Sequence, residues 1–267
     1  MKQFFSNLAN RYRYSLILLR QLVITDFKLR YQGSVLGYVW SLLKPLALFS
    51  ILYVVFVRFL RFGVKPVPLF LGIVLWTYFA EVTMQGINSI VGRGDLLRKL
   101  NFPRYVIVLS TAFSALINLF LNMIVVGVFM VFTHTALRTE ALLLPILIVE
   151  LFVLAVSLAF YLSALFVRFR DLSHIWELVL QAAFYATPIM YSLNYVPAKY
   201  AKFLILNPLA QIIQDSRYVL LDPSSQTITS FYSNPAIRLV PIGLVATFAV
   251  ISVMYFRRRS RFFAEEV

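Results

Sequence analysis

Residues 105–132 read YVIVLSTAFSALINLFLNMIVVGVFMVF, 28 positions without a single Asp, Glu, Lys or Arg. At about 1.5 Å of rise per residue, a helix of this length exceeds the roughly 30 Å hydrocarbon core of a bilayer. Outward from it, five further apolar stretches occur at 35–57, 67–90, 142–167, 175–193 and 237–256. With 61% hydrophobic residues among 267, the chain lacks the polar surface of a soluble domain, which is only about half apolar. The sequence therefore predicts an all-α membrane protein with six transmembrane helices.

Cation placement orients the spans. With the N-terminus inside, the inner segments carry sixteen of the 25 Lys and Arg residues and the outer segments eight, Lys44 lying within a span. That bias predicts a multi-pass protein with both termini cytoplasmic. Basic clusters facing anionic lipid then account for the net charge of +14 without nucleic acid. Leu16–Leu19 is a short apolar run closed by Arg20 with no small-residue cleavage site, so the first span is expected to serve as the membrane signal. The absence of cysteine excludes disulfides and thiolate metal sites, and His134 and His174 alone make a histidine metal centre a poor expectation.

Ahead of the first span, residues 12–30 read as an amphipathic helix at the inner interface. Leu16, Leu19, Val23 and Phe27 share one arc of the helical wheel, and Gln21, Thr25 and Lys28 share another. Asp26 and Arg30, four apart, are expected to form a weak surface pair. Gly33 and Gly37 bracket the turn into span one, where a residue without Cβ lets the chain bend sharply. Within that span, Lys44-Pro45 predicts a kink, which survives in a membrane only where a neighbouring group takes up the freed carbonyl.

Two loops carry further pattern. At 92–104, Asp95 is placed to cap a short helix with apolar Leu96, Leu97 and Leu100, basic Arg98 and Lys99, and a stop at Pro103. Such a cytoplasmic helix suits docking on a partner protein, while composition alone equally allows Arg98 and Lys99 to meet lipid phosphates. At 195–222, two apolar segments are divided by the turn signal Asn207-Pro208, which predicts short helices re-entering the outer leaflet. No repeat or linker divides the chain, so 1–267 is expected to form one transmembrane domain.

No G-x-x-x-x-G-K-[ST] phosphate loop, nucleophile elbow, paired-histidine zinc motif or kinase motif occurs. The chain is expected to hold no catalytic residue, so uphill movement requires a partner or an ion gradient. Of the ionisable residues in spans, Glu150 and Glu177 lie near span ends and are explained by snorkelling, whereas Lys44 and Glu81 lie deeper. Each is roughly 13 Å from its cytoplasmic end, so antiparallel neighbours bring Lys44 and Glu81 to one depth, where a direct or water-bridged pair is expected. Aromatic residues make up 16% of the chain; interface belts account for most, and a minority are expected to line a path.

Several motifs together resemble a known family. Arg30-Tyr31-Gln32-Gly33-Ser34-Val35-Leu36-Gly37 with Trp40-Ser41-Leu42-Leu43-Lys44-Pro45 is similar to the start of span one in ABC-2 type permeases that export polysaccharides. Leu97-Arg98-Lys99-Leu100-Asn101-Phe102-Pro103-Arg104, Phe169-Arg170-Asp171-Leu172, Thr187-Pro188-Ile189-Met190-Tyr191 and Leu206-Asn207-Pro208-Leu209 match further along, in order. The resemblance implies a six-span half-transporter of the bacterial inner membrane that pairs with a second copy of itself and with two ATP-binding subunits. ATP and Mg would be bound by those subunits. The cargo it implies is a lipid-linked glycan: O-antigen, capsule, teichoic acid or a related polymer.

On this resemblance, Asp95, Leu96, Leu97, Arg98, Lys99, Leu100 and Phe102 couple to the ATPase, and 195–222 forms outer gate helices. Tyr38, Trp40, Phe184 and Tyr185 are expected to line the substrate path at a homodimer interface of spans one and five, each broken by a proline, Pro45 and Pro188. The family often carries Asn where this chain has Lys44, so no role is carried over to that position. A second reading of the deep pair then arises, in which Lys44 meets the phosphate of a lipid-linked substrate and Glu81 is its partner in the empty state. An ABC-2 exporter of a small molecule or lipid is the alternative within the family. Outside it, a secondary transporter needs coupling groups on paired broken helices, and a membrane-embedded glycan transferase needs clustered carboxylates; neither pattern is present.

Overall fold

In the computed structural model, which describes residues 2–30, 32–60, 65–94, 103–136, 138–221 and 223–263, no strand occurs among the described residues. The helices in chain order are α1 (Lys2–Arg30), α2 (Trp40–Leu52), α3 (Pro66–Ser89), α4 (Tyr105–Phe132), α5 (Leu144–Phe166), α6 (Leu172–Ala186), α7 (Ala198–Leu204), α8 (Pro208–Leu220), α9 (Ile228–Phe231) and α10 (Leu239–Arg259). Short 3-10 turns lead into α2, α5 and α10, and a wider π-helical segment, Tyr53–Phe59, continues α2. Five helical runs are then long and apolar enough to cross a membrane: Gly37–Phe59, Pro66–Ser89, Tyr105–Phe132, Thr139–Phe166 and Ala236–Arg259. They fall on five of the six expected spans.

The stretch expected to span at 175–193 departs from that reading. Helix α6 begins earlier, at Leu172, and stops at Ala186 after 15 residues, about 22 Å, short of a hydrocarbon core. The cause is Pro188, whose ring disfavours helical geometry in the preceding residue; Thr187 is extended, at φ −84° and ψ 139°. Pro45, the sixth residue of α2, does not stop that helix. There the freed carbonyl of Ser41 accepts from Asn122 Nδ2 on α4 at 3.2 Å, so the neighbouring helix replaces the missing N–H.

Helix α3 is the hub, with every residue from Val67 to Trp76 buried, and it packs on α2, α4, α5, α6 and α8. Phe49, Phe70 and Phe129 join α2, α3 and α4 in an aromatic triad with centroids 5.2 to 5.4 Å apart. Across the other side, Gly86 lets α3 approach α5 closely: a Cβ there would lie 2.5 Å from Ala159 Cβ. Small residues at such a crossing gain packing where lipid offers no hydrophobic drive. Helix α1 packs along α4, and the turn after it places Gly33 at φ +78° and Gly37 at φ +49°, the left-handed region that the glycines permit.

On the far side of the chain order, α7 and α8 form the expected pair of short helices. Asn207 Oδ1 accepts from Leu209 N at 3.0 Å, capping α8 as Pro208 opens it. Along α8, Leu209, Ile212, Ile213, Ser216, Arg217 and Leu220 form one buried stripe.

Candidate functional site

A cavity of about 690 Å³ opens between α2, α3 and α4. Trp40, Lys44 and Glu81 all line it, so these three expected path residues share one chamber. Their pairing differs from the expectation. Glu81 forms its ion pair with Arg30 at the end of α1, accepts from Asn118 Nδ2 at 2.9 Å, and accepts from Gln85 Nε2 at 3.3 Å. Arg30 also donates to Gln85 Oε1 at 2.7 Å. Lys44 therefore does not pair with Glu81, and it has no hydrogen bond or ion pair among the described residues. The physical reason is reach: Arg30 arrives from α1 with a planar fork that bridges Glu81 and Gln85 together.

Two amides complete the wall. Asn118 and Asn122 on α4 are 5% and 4% exposed, and each leaves Oδ1 without a hydrogen-bond partner among the described residues. Their nitrogens are already committed, to Glu81 and to the carbonyls of Ser41 and Asn118. Those two oxygens are sealed from solvent, so the chamber itself presents Lys44, without a partner among the described residues, and the rings of Trp40 and Tyr78, with a net charge of +1 from Arg30, Lys44 and Glu81.

Phe184 and Tyr185 line a second, smaller cleft of about 270 Å³ with Leu48, Trp76, Leu180 and Gln181. Leu180 belongs to both clefts, so they adjoin. Trp76 meets Phe184 edge-on at 5.6 Å, and Phe184 meets Tyr185 at 5.5 Å. Tyr38 lies in neither; its ring stacks on Phe27 of α1 at 4.8 Å. The expected Asp26–Arg30 pair is also absent. Asp26 instead pairs with Arg93, beyond the end of α3, and both contact Ser110 of α4, at 3.2 and 3.0 Å. Asp26 and Arg30 of α1 thus face the bundle, while Leu16 is 65% exposed and Arg20 and Lys28 are exposed as well.

Asp95, Leu96, Leu97, Arg98, Lys99, Leu100 and Phe102 lie outside the described residues. Of the span charges near helix ends, Glu177 is exposed, while Glu150 is half-buried with Oε1 unpartnered among the described residues. It lies near Asp215 and Gln211 of α8, and Gln211 Nε2 donates to Asp215 Oδ2 at 2.7 Å. Burial pushes the Asp215 carboxyl above its ordinary value.

Sequence reading counted Arg217 as an outer-loop cation, yet it is 4% exposed. Its Nε donates to Pro68 O at 3.0 Å, and its terminal nitrogens donate to Pro188 O at 2.8 Å and Ile189 O at 2.5 Å. Burial pulls the guanidinium down to about 10, which leaves it charged at neutral pH. The signal that would have found it is its place on the buried stripe of α8, three residues before Leu220 and four after Ile213.

Residues 17–221 match the family model described as ABC-2 type transporter. The O-antigen export system permease protein RfbA of Myxococcus xanthus is 28% identical over 254 residues, covering 94% of this chain and 95% of that protein. A protein of the same name from Klebsiella pneumoniae is 30% identical over 201 residues, covering 74% of this chain and 77% of its own length.

Proposed function

The chain belongs to the ABC-2 type transporter family, and from that premise we propose that it is the transmembrane subunit of an exporter that moves a lipid-linked, O-antigen-like polysaccharide across the bacterial inner membrane. The observation that carries the cargo class is the wall of the 690 Å³ chamber. A polyol bound to lipid through phosphate needs acceptors for its hydroxyls, a flat apolar face for its rings and a cation for its anion. The carboxylate of Glu81 and the polar side chains of Thr77 and Gln85, the indole of Trp40 and Lys44 supply those groups in one place. From there the adjoining cleft of Trp76, Phe184 and Tyr185 offers stacking faces that hold a moving polymer without fixed hydrogen bonds.

In this reading two copies of the chain face one another across α2 and α6, and α6 with the turn after Pro188 makes the sixth crossing. Two ATP-binding subunits dock from the cytoplasm on residues 95–102 and hydrolyse ATP with Mg. The α7–α8 pair gates the outer end, and both termini lie inside.

Lys44→Met tests the cargo site. Because Lys44 holds no partner among the described residues, the variant is expected to keep the unfolding midpoint of the parent. In vesicles containing the ATP-binding subunit, its half-saturating concentration for lipid-linked glycan is expected to rise about tenfold, the cost of one charge-assisted contact. Unchanged export by a folded Lys44→Met protein would remove the anion from the chamber.

A further inference from the structure

The buried guanidinium of Arg217 sits where three backbone segments converge. Its donors reach Pro68 in the first turn of α3 and the two carbonyls after the break of α6, Pro188 and Ile189. Those last carbonyls follow a helix end, where intrahelical N–H partners run out and a buried oxygen needs another donor. No carboxylate pairs with Arg217 among the described residues; Gln214 Oε1, at 3.4 Å, is its one side-chain acceptor. The guanidinium lies over Gly72, where a Cβ would stand 2.6 Å from Nη2, so an alanine there displaces the guanidinium.

Spacing along α3 gives this clamp a second consequence. Pro68, Gly72 and Trp76 fall four residues apart and thus on one face of the helix. The first gives Arg217 a carbonyl and the second gives it room. The third packs its indole on Phe184, one turn of α6 before Pro188. The same guanidinium therefore holds both walls of the aromatic cleft: the α3 wall through Pro68, and the α6 wall through Pro188 and Ile189. Lysine cannot reproduce this, since a single ammonium does not reach three carbonyls in a planar fork.

We propose that Arg217 is the positioning residue of the aromatic cleft, setting the separation of Trp76 from Phe184 and Tyr185 through the backbone of α3 and α6. Its consequence for transport rests on the export reading above; the placement itself does not, and the two are tested separately.

The placement is read by Trp76 fluorescence in the purified full-length permease chain, with Trp40→Phe and Trp176→Phe present so that Trp76 is its single tryptophan. Gly72→Ala, which pushes the guanidinium off its seat, and Arg217→Lys are both expected to shift that emission. Should Arg217→Lys fail to fold, Gly72→Ala carries the test alone. An unshifted Trp76 emission in a folded Gly72→Ala protein, whatever its unfolding midpoint, would overturn the proposal and leave Arg217 a staple of the outer helices.

The transport consequence is read with all three tryptophans in place. Gly72→Ala is expected to raise the half-saturating glycan concentration about tenfold, and Phe184→Ala to do the same, with no further loss in the double variant because both act on one cleft. Additive losses would overturn Arg217's action through that cleft. Shifted emission with unaltered export in every variant would uphold the positioning and remove the aromatic cleft from the export reading.

Discussion

At the scale of single residues, Arg30, Lys44 and Glu81 set the character of the chamber. Glu81 draws three side chains onto one carboxylate, Arg30, Gln85 and Asn118, and by doing so leaves Lys44 free. Arg30 and Glu81 keep 17% and 18% of their side chains exposed, so their pair lies between a surface bridge and a fully buried one. Glu81→Gln is expected to destabilise the protein by about 2 kcal/mol, chiefly because Arg30 then stays desolvated without its counter-ion. Arg30→Met combined with Glu81→Gln is expected to recover most of that loss. Thermal unfolding of both single variants and the double variant in detergent checks it; strictly additive losses would show that the two side chains do not act as a pair.

At the scale of elements, prolines have opposite outcomes that depend on their neighbours. Pro45 is carried inside α2 because Asn122 of α4 donates to the freed Ser41 carbonyl, whereas Pro188 ends α6 and hands its carbonyls to Arg217. Helix α8 supplies that arginine and also carries Asp215 toward α5. Burial raises the Asp215 carboxyl above 3.8, with Gln211 and Arg238 opposing. A raised folded-state value means that the native protein keeps this proton where the unfolded chain has lost it. Stability from this group is therefore highest below pH 3.8 and falls as the pH climbs through the native value. Asp215→Asn is expected to raise the unfolding midpoint at pH 7 and to flatten its pH dependence between pH 4 and 7. A steeper slope in the variant would contradict that sign.

Taken as a whole, the molecule links the end of α3 to the chamber through α1. Arg93, two residues before Asp95, pairs with Asp26, and Arg30 one turn later pairs with Glu81 in the chamber wall. On the proposed export reading, in which an ATP-binding subunit docks on residues 95–102, a displacement there has a short, charged route to the chamber. Replacing Leu97 and Leu100 by Asp is expected to abolish glycan-stimulated ATP hydrolysis while the assembled permease keeps its unfolding midpoint. Full stimulation in that double variant would take the docking role away from residues 95–102.

Five membrane helices and the α7–α8 pair were legible in the amino-acid order, because each rests on local physics: an unbroken apolar run, a chain turn at Gly33 and Gly37, a cap at Asn207 followed by Pro208. The nearness of Lys44 and Glu81 was legible as well: rise per residue set them level on antiparallel neighbours, and both line one chamber. Partner choice was not. A helical wheel pairs Asp26 with Arg30, but side chains on a packed face meet whatever the neighbouring helix presents, and tertiary contact gave Asp26 to Arg93 and Arg30 to Glu81. The same holds for Arg217, which hydropathy assigns to solvent and which the convergence of three backbone segments buries. The sequence by itself determined which segments are helical, how long they run and that they belong in a membrane, because those follow from covalent order and local free energy. Only the tertiary structure decided which charge neutralises which and which stays free to bind, because electrostatic pairing depends on distances between residues far apart in the chain.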